Sequence, residues 1–391
     1  MLDYDFDGKC AFVRVDFNVP LNDGIIGDDT RIRAALPTIQ HILNHGGAVI
    51  CASHLGRPNG QVVEALRMAP VAEHLQSLLG DKHTVLTATS VCGEDAVAAA
   101  EALEAGEVLV LENLRFEAGE TANDAALASK LAAMADVFVQ DAFGTCHRAH
   151  ASTAGVPAIL KPALAGMLLD KEIKAFANAF ESPKRPVVAV IGGAKVSDKI
   201  VVLENLLDKV DRVLIGGGMA YTFLKAQGKT VGSSLCEDDR LDTALAVINK
   251  AAKKNVELLL PSDHLVADSF SETANTKVVG DNIPDGWMGL DIGPETTALY
   301  QERLASAATV VWNGPMGVFE LEPFSHGTSA IAKVLANSDC LSVVGGGDSV
   351  AAIKKNKVEN SISHISTGGG AFLEMLEGKQ LPGILALNSR L

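Results

Sequence analysis

Two α/β domains, each built on a parallel sheet, are predicted by three observations. The chain has 391 residues, more than one ordinary core supports. Short uninterrupted apolar runs, such as Ala48-Val-Ile-Cys-Ala-Ser53 and Val187-Val-Ala-Val-Ile191, read as strands buried on both faces. Helical patterns alternate with those runs through both halves of the chain. The composition is globular, with 48% hydrophobic and 21% charged residues. A formal net charge of −15 argues against a nucleic-acid binder, which needs a basic footprint. It leaves phosphorylated metabolites open, because these respond to the local field of a cleft. The six cysteines are scattered without a C-x-x-C pair, so neither a zinc site nor a disulfide framework is expected. The acidic start, Met1-Leu-Asp-Tyr-Asp-Phe-Asp7, lacks the pattern of a signal peptide, and no apolar run approaches a membrane span. A soluble, cytoplasmic protein is the expectation.

In the first half, Cys10–Asp16 reads as a strand ended by Phe17, Asn18 and Pro20. Asp28–Arg33 leads into a helix stopped at Gly46-Gly47, with Pro37 expected in its tolerant first turns. The strand Ala48–Ser53 runs into His54-Leu-Gly-Arg57, and a helix is expected over Leu66–Leu79. Strands near Thr84–Thr87 and Val108–Leu111 follow, the latter ending in Glu112-Asn113-Leu-Arg115. Helical Asp124–Met134 precedes the strand Asp136–Gln140, which leads to His147 and Arg148. In an open α/β sheet the ligand lies beyond the carboxyl ends of the strands. Those ends carry Asp16, Asn18, His54, Arg57, Arg115, His147 and Arg148, with Arg31 in the first long loop. An acidic chain has thus gathered cations where a multiply charged anion would bind, and the guanidinium fork suits phosphate or carboxylate.

Leu160–Ser182 reads as a long helical connector. Beyond it, five strand ends carry glycine clusters: Gly192-Gly193, Gly216-Gly217-Gly218, Gly314 with Pro315 and Gly317, Gly345-Gly346-Gly347, and Gly368-Gly369-Gly370. Glycine lets the backbone turn tightly and approach a ligand without a Cβ in the way. Lys195 and Lys199 follow the first cluster, four residues apart on one face of an expected helix. Asp348 follows the fourth, a carboxylate suited to a hard cation such as Mg²⁺, and Ser349 opens a helix whose amides favour an anion. The apolar tail after Gly378 finishes the second domain or docks elsewhere.

Neither G-x-x-x-x-G-K-[ST] nor a strand-following G-x-G-x-x-G is present, and protein-kinase, nucleophile-elbow and H-E-x-x-H motifs are missing. A basic half and a glycine-rich, lysine- and acid-bearing half suit phosphoryl transfer between a small anion and a nucleotide. A nicotinamide dehydrogenase would use the glycines but lacks its fingerprint. A non-catalytic nucleotide sensor would leave the arginines without a role.

The residues are specific enough for a family resemblance. Arg14-Val-Asp-Phe-Asn-Val-Pro20, Ser53-His-Leu-Gly-Arg-Pro58, Leu111-Glu-Asn-Leu-Arg-Phe116 and Asp141-Ala-Phe-Gly-Thr145 resemble phosphoglycerate kinase. So do Gly192-Gly-Ala-Lys-Val-Ser-Asp-Lys199, Trp312-Asn-Gly-Pro315, Gly345-Gly-Gly-Asp348 and Ser366-Thr-Gly-Gly-Gly370. The resemblance implies two Rossmann-like, doubly wound parallel-sheet domains joined by a helical hinge. The boundaries would be 1–165, 166–182 and 183–378, with the tail 379–391 packing back on the first domain, which favours docking of Leu381–Leu387. It implies reversible phosphoryl transfer between 1,3-bisphosphoglycerate and MgADP, giving 3-phosphoglycerate and MgATP, with domain closure, in a monomer. The phosphoglycerate site would comprise Asp16, Phe17, Asn18, Arg31, His54, Leu55, Gly56, Arg57, Arg115 and Arg148. Asp16 and Asn18 would meet the hydroxyl and carboxyl end, and the arginines and His54 the non-transferred phosphate. Arg31 and Lys199, aided by amides of Gly368, Gly369 and Gly370, would surround the migrating phosphoryl. The nucleotide would meet Lys195, Lys199, Gly217, Asn313, Pro315, Glu320 at the ribose, Gly345, Gly346, Gly347, Asp348 and Ser349, with Asp348 holding Mg²⁺. Two departures stand out: Ser349 where the family commonly has threonine, and Cys146, expected to act as a small buried hydrophobe.

Overall fold

The computed structural model describes residues 1–387 and divides the chain into two compact units. One unit comprises Met1–Ile173 with the tail from Gln380; the other is Lys174–Lys379. The boundary falls inside the helix Met167–Phe180.

The first unit holds six parallel strands: β1 (Cys10–Arg14), β2 (Ala48–Ala52), β3 (Thr84–Thr87), β4 (Glu107–Val110), β5 (Val137–Gln140) and β6 (Ala163–Ala165). Their spatial order is β3-β4-β2-β1-β5-β6. The chain places β2 on one side of β1 and β5 on the other, so the strand order reverses at β1. The central strands are continuous apolar runs because helices cover both faces of the sheet. Phe12, Val13, Val49, Ile50 and Val139 have no exposed surface.

In the second unit the parallel strands are β7 (Val187–Ile191), β8 (Arg212–Ile215), β9 (Glu257–Leu259), β13 (Thr309–Asn313), β14 (Leu341–Val344) and β15 (His364–Ile365). The order β9-β8-β7-β13-β14-β15 is that of a doubly wound nucleotide-binding sheet, with its switch point between β7 and β13. Between β9 and β13 the chain inserts an antiparallel sheet of β10 (His264–Ala267), β11 (Thr276–Val279) and β12 (Met288–Ile292). The buried Tyr300 hydroxyl ties the main sheet together, donating to Ile215 O at 2.7 Å and Leu259 O at 3.0 Å.

Several sequence expectations change. The connector Leu160–Ser182 is not one helix: its start forms the edge strand β6, and the helix begins only at Met167. Ala163-Leu-Ala165 is too short and too alanine-rich to announce a strand, and pairing with β5 decides it. Pro37 lies eight residues into the helix Thr30–Asn44 rather than in its first turns, because that helix starts upstream of the apolar pattern. The tail forms a helical turn, Pro382–Leu385, within the first unit; Gly383 N donates to Cys146 O at 2.9 Å. A Cβ at Gly383 would stand 2.9 Å from the Cys146 Cα, and Cys146 is fully buried, in keeping with its reading as a small hydrophobe.

Two buried carboxyls organise helix starts. Asp291 Oδ2 accepts from Gly327 N at 2.8 Å in the first turn of His326–Ala336. Asp141 Oδ1 accepts from Leu168 N at 2.9 Å and Leu169 N at 3.3 Å, at the start of Met167–Phe180. Burial pushes the Asp141 carboxyl up to about 7, against the pull of Thr38 and the two amides, and its Oδ2 has no partner. The folded state therefore keeps a proton that the unfolded chain has released between its ordinary 3.8 and about 7. Asp141 favours folding most on the acid side of that window, and the contribution is lost as pH rises through it. Asp141→Asn keeps the acceptor without the charge, so its Tm relative to the parent should rise between pH 5 and pH 8. An equal Tm difference at both pH values, in thermal melts, would refute the titration.

Candidate active site

At the carboxyl edge of the first sheet, backbone demands of two loops bring the site residues together. After β1 the chain turns through Asp16, Phe17 and Asn18, and Phe17 N donates to the buried Ser53 hydroxyl at 2.8 Å. Asn18 Oδ1 accepts from Gly56 N at 2.9 Å, joining the loop after β1 to that after β2. Arg31, at the start of its helix, donates to Asn18 O at 2.8 Å and pairs with Asp16 at 3.4 Å. Arg115 donates to Gly56 O at 2.7 Å. Arg57, Arg115 and Arg148 share a cavity of about 220 Å³ with Asn59, Gly60, Glu117 and Thr121. Leu55 is buried and serves the loop's packing.

His54 departs from its expected role as one of the cations. Burial, then the nearby guanidinium groups of Arg14, Arg115 and Arg31, hold its imidazole well below the usual histidine range. It is neutral at neutral pH and can offer hydrogen bonds but no charge. Arg14, quoted earlier only within a motif, is the fully buried cation behind it: Nε donates to Ser152 Oγ at 2.7 Å, and a terminal nitrogen lies 3.4 Å from His54 Nδ1. Its place on the strand itself hid it, since only tertiary packing tells a β1 arginine facing the site from one facing solvent.

Asn113 also escaped the sequence reading. Buried at the end of β4, it accepts from Leu55 N and Arg115 N, both at 3.1 Å, and donates to Leu55 O at 2.7 Å and Leu66 O at 3.0 Å. Every polar atom of its amide is used.

The second unit has a counterpart in Asn313, at the end of β13. It accepts from the Lys199 ammonium and donates to Gly345 O at 2.8 Å. Lys199 lies against Gly193, and burial pulls its ammonium below the usual lysine range while Asp198, Asp348 and Glu377 oppose this. The glycines permit close contact of neighbouring loops: a Cβ at Gly192 would lie 2.0 Å from Pro315 O. Gly346, at φ 95°, turns the chain into the helix Gly347–Lys355. Asp348 therefore stands in the first turn, exposed beside free amides. The Ser349 hydroxyl accepts from Gly314 N at 2.6 Å, so it joins two loops while its amide stays at the helix start. Gly369 and Gly370 open the helix Gly369–Leu376. Lys195 and Lys199 do not share a helix face as expected: both precede the helix Ile200–Leu206, in a loop tied at Ser197 to Glu237.

A cavity of about 710 Å³ opens at the switch point, lined by Gly193, Gly217, Pro315, Glu320 and Asp348. Its apolar wall carries no sequence signal: Tyr221 comes from the helix Met219–Ala226, Leu235 from the loop beyond it, and Phe270, Met288 and Leu290 from the antiparallel insertion. Those residues carry no polar motif, and only the fold gathers them. Another cavity of about 710 Å³, lined by Lys184, Lys333 and Cys340, adjoins the starts of β7, β13 and β14, the wrong end for a doubly wound sheet.

Mg²⁺ fits the residues present in one way. No group of three or more His, Cys, Asp or Glu residues is placed to hold a metal among the described residues. The lone Asp348 matches a cation held by one carboxylate together with a nucleotide's phosphates.

A glycine-walled cavity of nucleotide size at the switch point, with the Lys199 ammonium beside its Gly193, suits an α/β phosphotransferase. Comparison with known proteins makes this particular. The phosphoglycerate kinase family model matches residues 1–379. A phosphoglycerate kinase of Roseiflexus castenholzii is 57% identical over 387 residues, spanning 99% of this chain and 98% of that protein. One of Prochlorococcus marinus is 55% identical over 386 residues, spanning 97% of this chain and 96% of that protein. The phosphoglycerate kinase structure from Coxiella burnetii has a TM-score of 0.92 at 47% identity and covers 100% of this chain and 98% of its own. The chain belongs to the phosphoglycerate kinase family, and phosphoglycerate kinase activity is its function.

The buried Asn113 amide generates a test. Asn113→Ala leaves two amides and two carbonyls unpaired and should lower stability to urea by about 2–4 kcal/mol. A loss well under 1 kcal/mol would show that water replaces the amide at no penalty.

Proposed function

We propose that the chain moves a phosphoryl group reversibly between 1,3-bisphosphoglycerate and ADP, giving 3-phosphoglycerate and ATP, with its two half-sites in the roles the family resemblance implies. The convergence of Arg57, Arg115 and Arg148 on one small cavity in an acidic protein carries the reading. Arg31 and Asp16 lie beside them, the former oriented by the Asn18 carbonyl. The glycerate end would meet Asp16 and Asn18, and the non-transferred phosphate the guanidinium set with the neutral His54. The larger cavity takes the nucleotide: base against the apolar wall, ribose at Glu320, phosphates toward Lys195, Lys199 and the amides of Gly347 to Ser349.

In the direction of ATP consumption, a carboxylate oxygen of 3-phosphoglycerate forms the new bond to the γ-phosphorus. The bond to the β–γ bridging oxygen breaks, and ADP leaves with that electron pair. The attacking carboxylate is already ionised at neutral pH, so no general base is required. Arg31 and Lys199 neutralise charge on the migrating group, aided by amides of Gly369 and Gly370. Asp348, together with the nucleotide's phosphates, would hold Mg²⁺, which would supply further neutralisation of phosphate charge. Chemistry shared between two units requires that they close and expel water, with 166–182 as the hinge between domains 1–165 and 183–378. A monomer suffices for this scheme.

A coupled assay with 3-phosphoglycerate and MgATP should show turnover by the purified protein, and its absence would sink the proposal. Arg31→Ala and Lys199→Ala should each lower kcat by about 10²–10³-fold, with smaller changes in KM. Arg57→Ala should chiefly raise KM for 3-phosphoglycerate; an unchanged KM would remove it from that site. Small-angle scattering should show compaction only with both substrates bound, and an unaltered profile would contradict closure.

A further inference from the structure

Glu237 lies outside every motif, yet it holds the loop that carries both lysines. Its Oε1 accepts from the Ser197 hydroxyl at 2.6 Å and its Oε2 from Ser197 N at 3.0 Å. Ser197 stands midway between Lys195 and Lys199. Glu237 is itself fixed from behind. Its amide donates to the buried Thr222 hydroxyl at 3.1 Å, and the adjacent Asp238 pairs with Lys225 at 2.7 Å on the same helix, Met219–Ala226. That helix also presents Tyr221 to the nucleotide cavity. Two residues upstream, Leu235 forms part of the cavity's apolar wall.

A carboxylate near a site for polyphosphate is unfavourable for binding unless it does something else. Here both oxygens face loop donors. Burial acts to raise this carboxyl, but the Ser197 hydroxyl, the amides of Ser197 and Val196, and the charge of Lys195 hold it below the usual range. It remains ionised at neutral pH, and a charge-assisted pair of bonds restrains a loop that has no helix of its own.

We propose that Glu237 is a positioning residue for the phosphoryl transfer: by clamping Ser197 it holds Lys195 and Lys199 at the phosphate end of the nucleotide cavity. The clamp rests on the assignment of those lysines to the nucleotide phosphates. It joins the lysine loop to the segment that walls the base, so the two ends of the nucleotide site are set by one short stretch, Leu235–Glu237.

The test is steady-state kinetics on the full-length protein, varying MgATP and 3-phosphoglycerate separately. Glu237→Ala should raise KM for MgATP about tenfold, leaving KM for 3-phosphoglycerate within about twofold, because misplacement is confined to one substrate's site. Glu237→Gln keeps one acceptor for Ser197 and should recover part of the loss. Ser197→Ala combined with Glu237→Ala should be no worse than Glu237→Ala alone, since both remove the same clamp. Additive effects, or equal changes in both KM values with a lowered Tm, would overturn the proposal in favour of a general structural role. Lys195→Ala and Lys199→Ala belong in the same series. If these perturb MgATP kinetics while Glu237→Ala does not, the clamp alone falls. If neither lysine matters, the lysine assignment falls and the clamp with it.

Discussion

Both half-sites depend on a buried asparagine at the carboxyl end of a parallel strand. A primary amide without exposure must find partners for its oxygen and both hydrogens, or the fold bears the desolvation of each unpaired group. Asn113 satisfies that demand with the backbone of Leu55, Leu66 and Arg115. Asn313 meets it in part, with its oxygen on Lys199 and one hydrogen on Gly345 O. Each thereby locks loops from neighbouring strands into one arrangement. The candidate site residues ride on those loops, so one buried amide per unit helps set their geometry.

Charge is handled differently in the two units. The first concentrates guanidinium groups and buries one of them, Arg14, behind a histidine that burial, and then this crowd of cations, keeps neutral. The second keeps its fixed charge low: free helix amides, a partly buried ammonium and two exposed acids line or adjoin an otherwise apolar and glycine-walled space. The contrast fits the proposed ligands: a small trianion would be held by charge and geometry, whereas a nucleotide would bring a base that needs apolar contact.

The strand-end residues were legible in the sequence because the α/β architecture maps chain position onto site position. An apolar run followed by a polar or glycine-rich turn places that turn at the carboxyl edge, which is why Arg57, Arg115, Lys199 and Asp348 could be named without coordinates. Residues that act from within a strand or from a distant insertion followed no such rule. Arg14 closes β1, Phe270 comes from a loop and Met288 from a strand of the antiparallel insertion, and Glu237 precedes a short turn with nothing to distinguish it from a solvated acid. The edge strand β6 is lost within a helical pattern because three residues carry too little sequence to show their period.

Strand runs and glycine turns thus determined by themselves a two-part α/β fold, and the order of the motifs carried its resemblance to the phosphoglycerate kinase family. These are properties of local sequence, since burial on both faces of a parallel strand and glycine in a tight turn are dictated within a few residues. Tertiary structure alone decided that His54 is neutral, that the Ser349 hydroxyl joins two loops, that the lysines lie in a loop ahead of their helix, and which apolar side chains wall the nucleotide cavity. Each depends on what packs against it from far along the chain, and desolvation, proximity of charge and close backbone approach are set only when those segments meet.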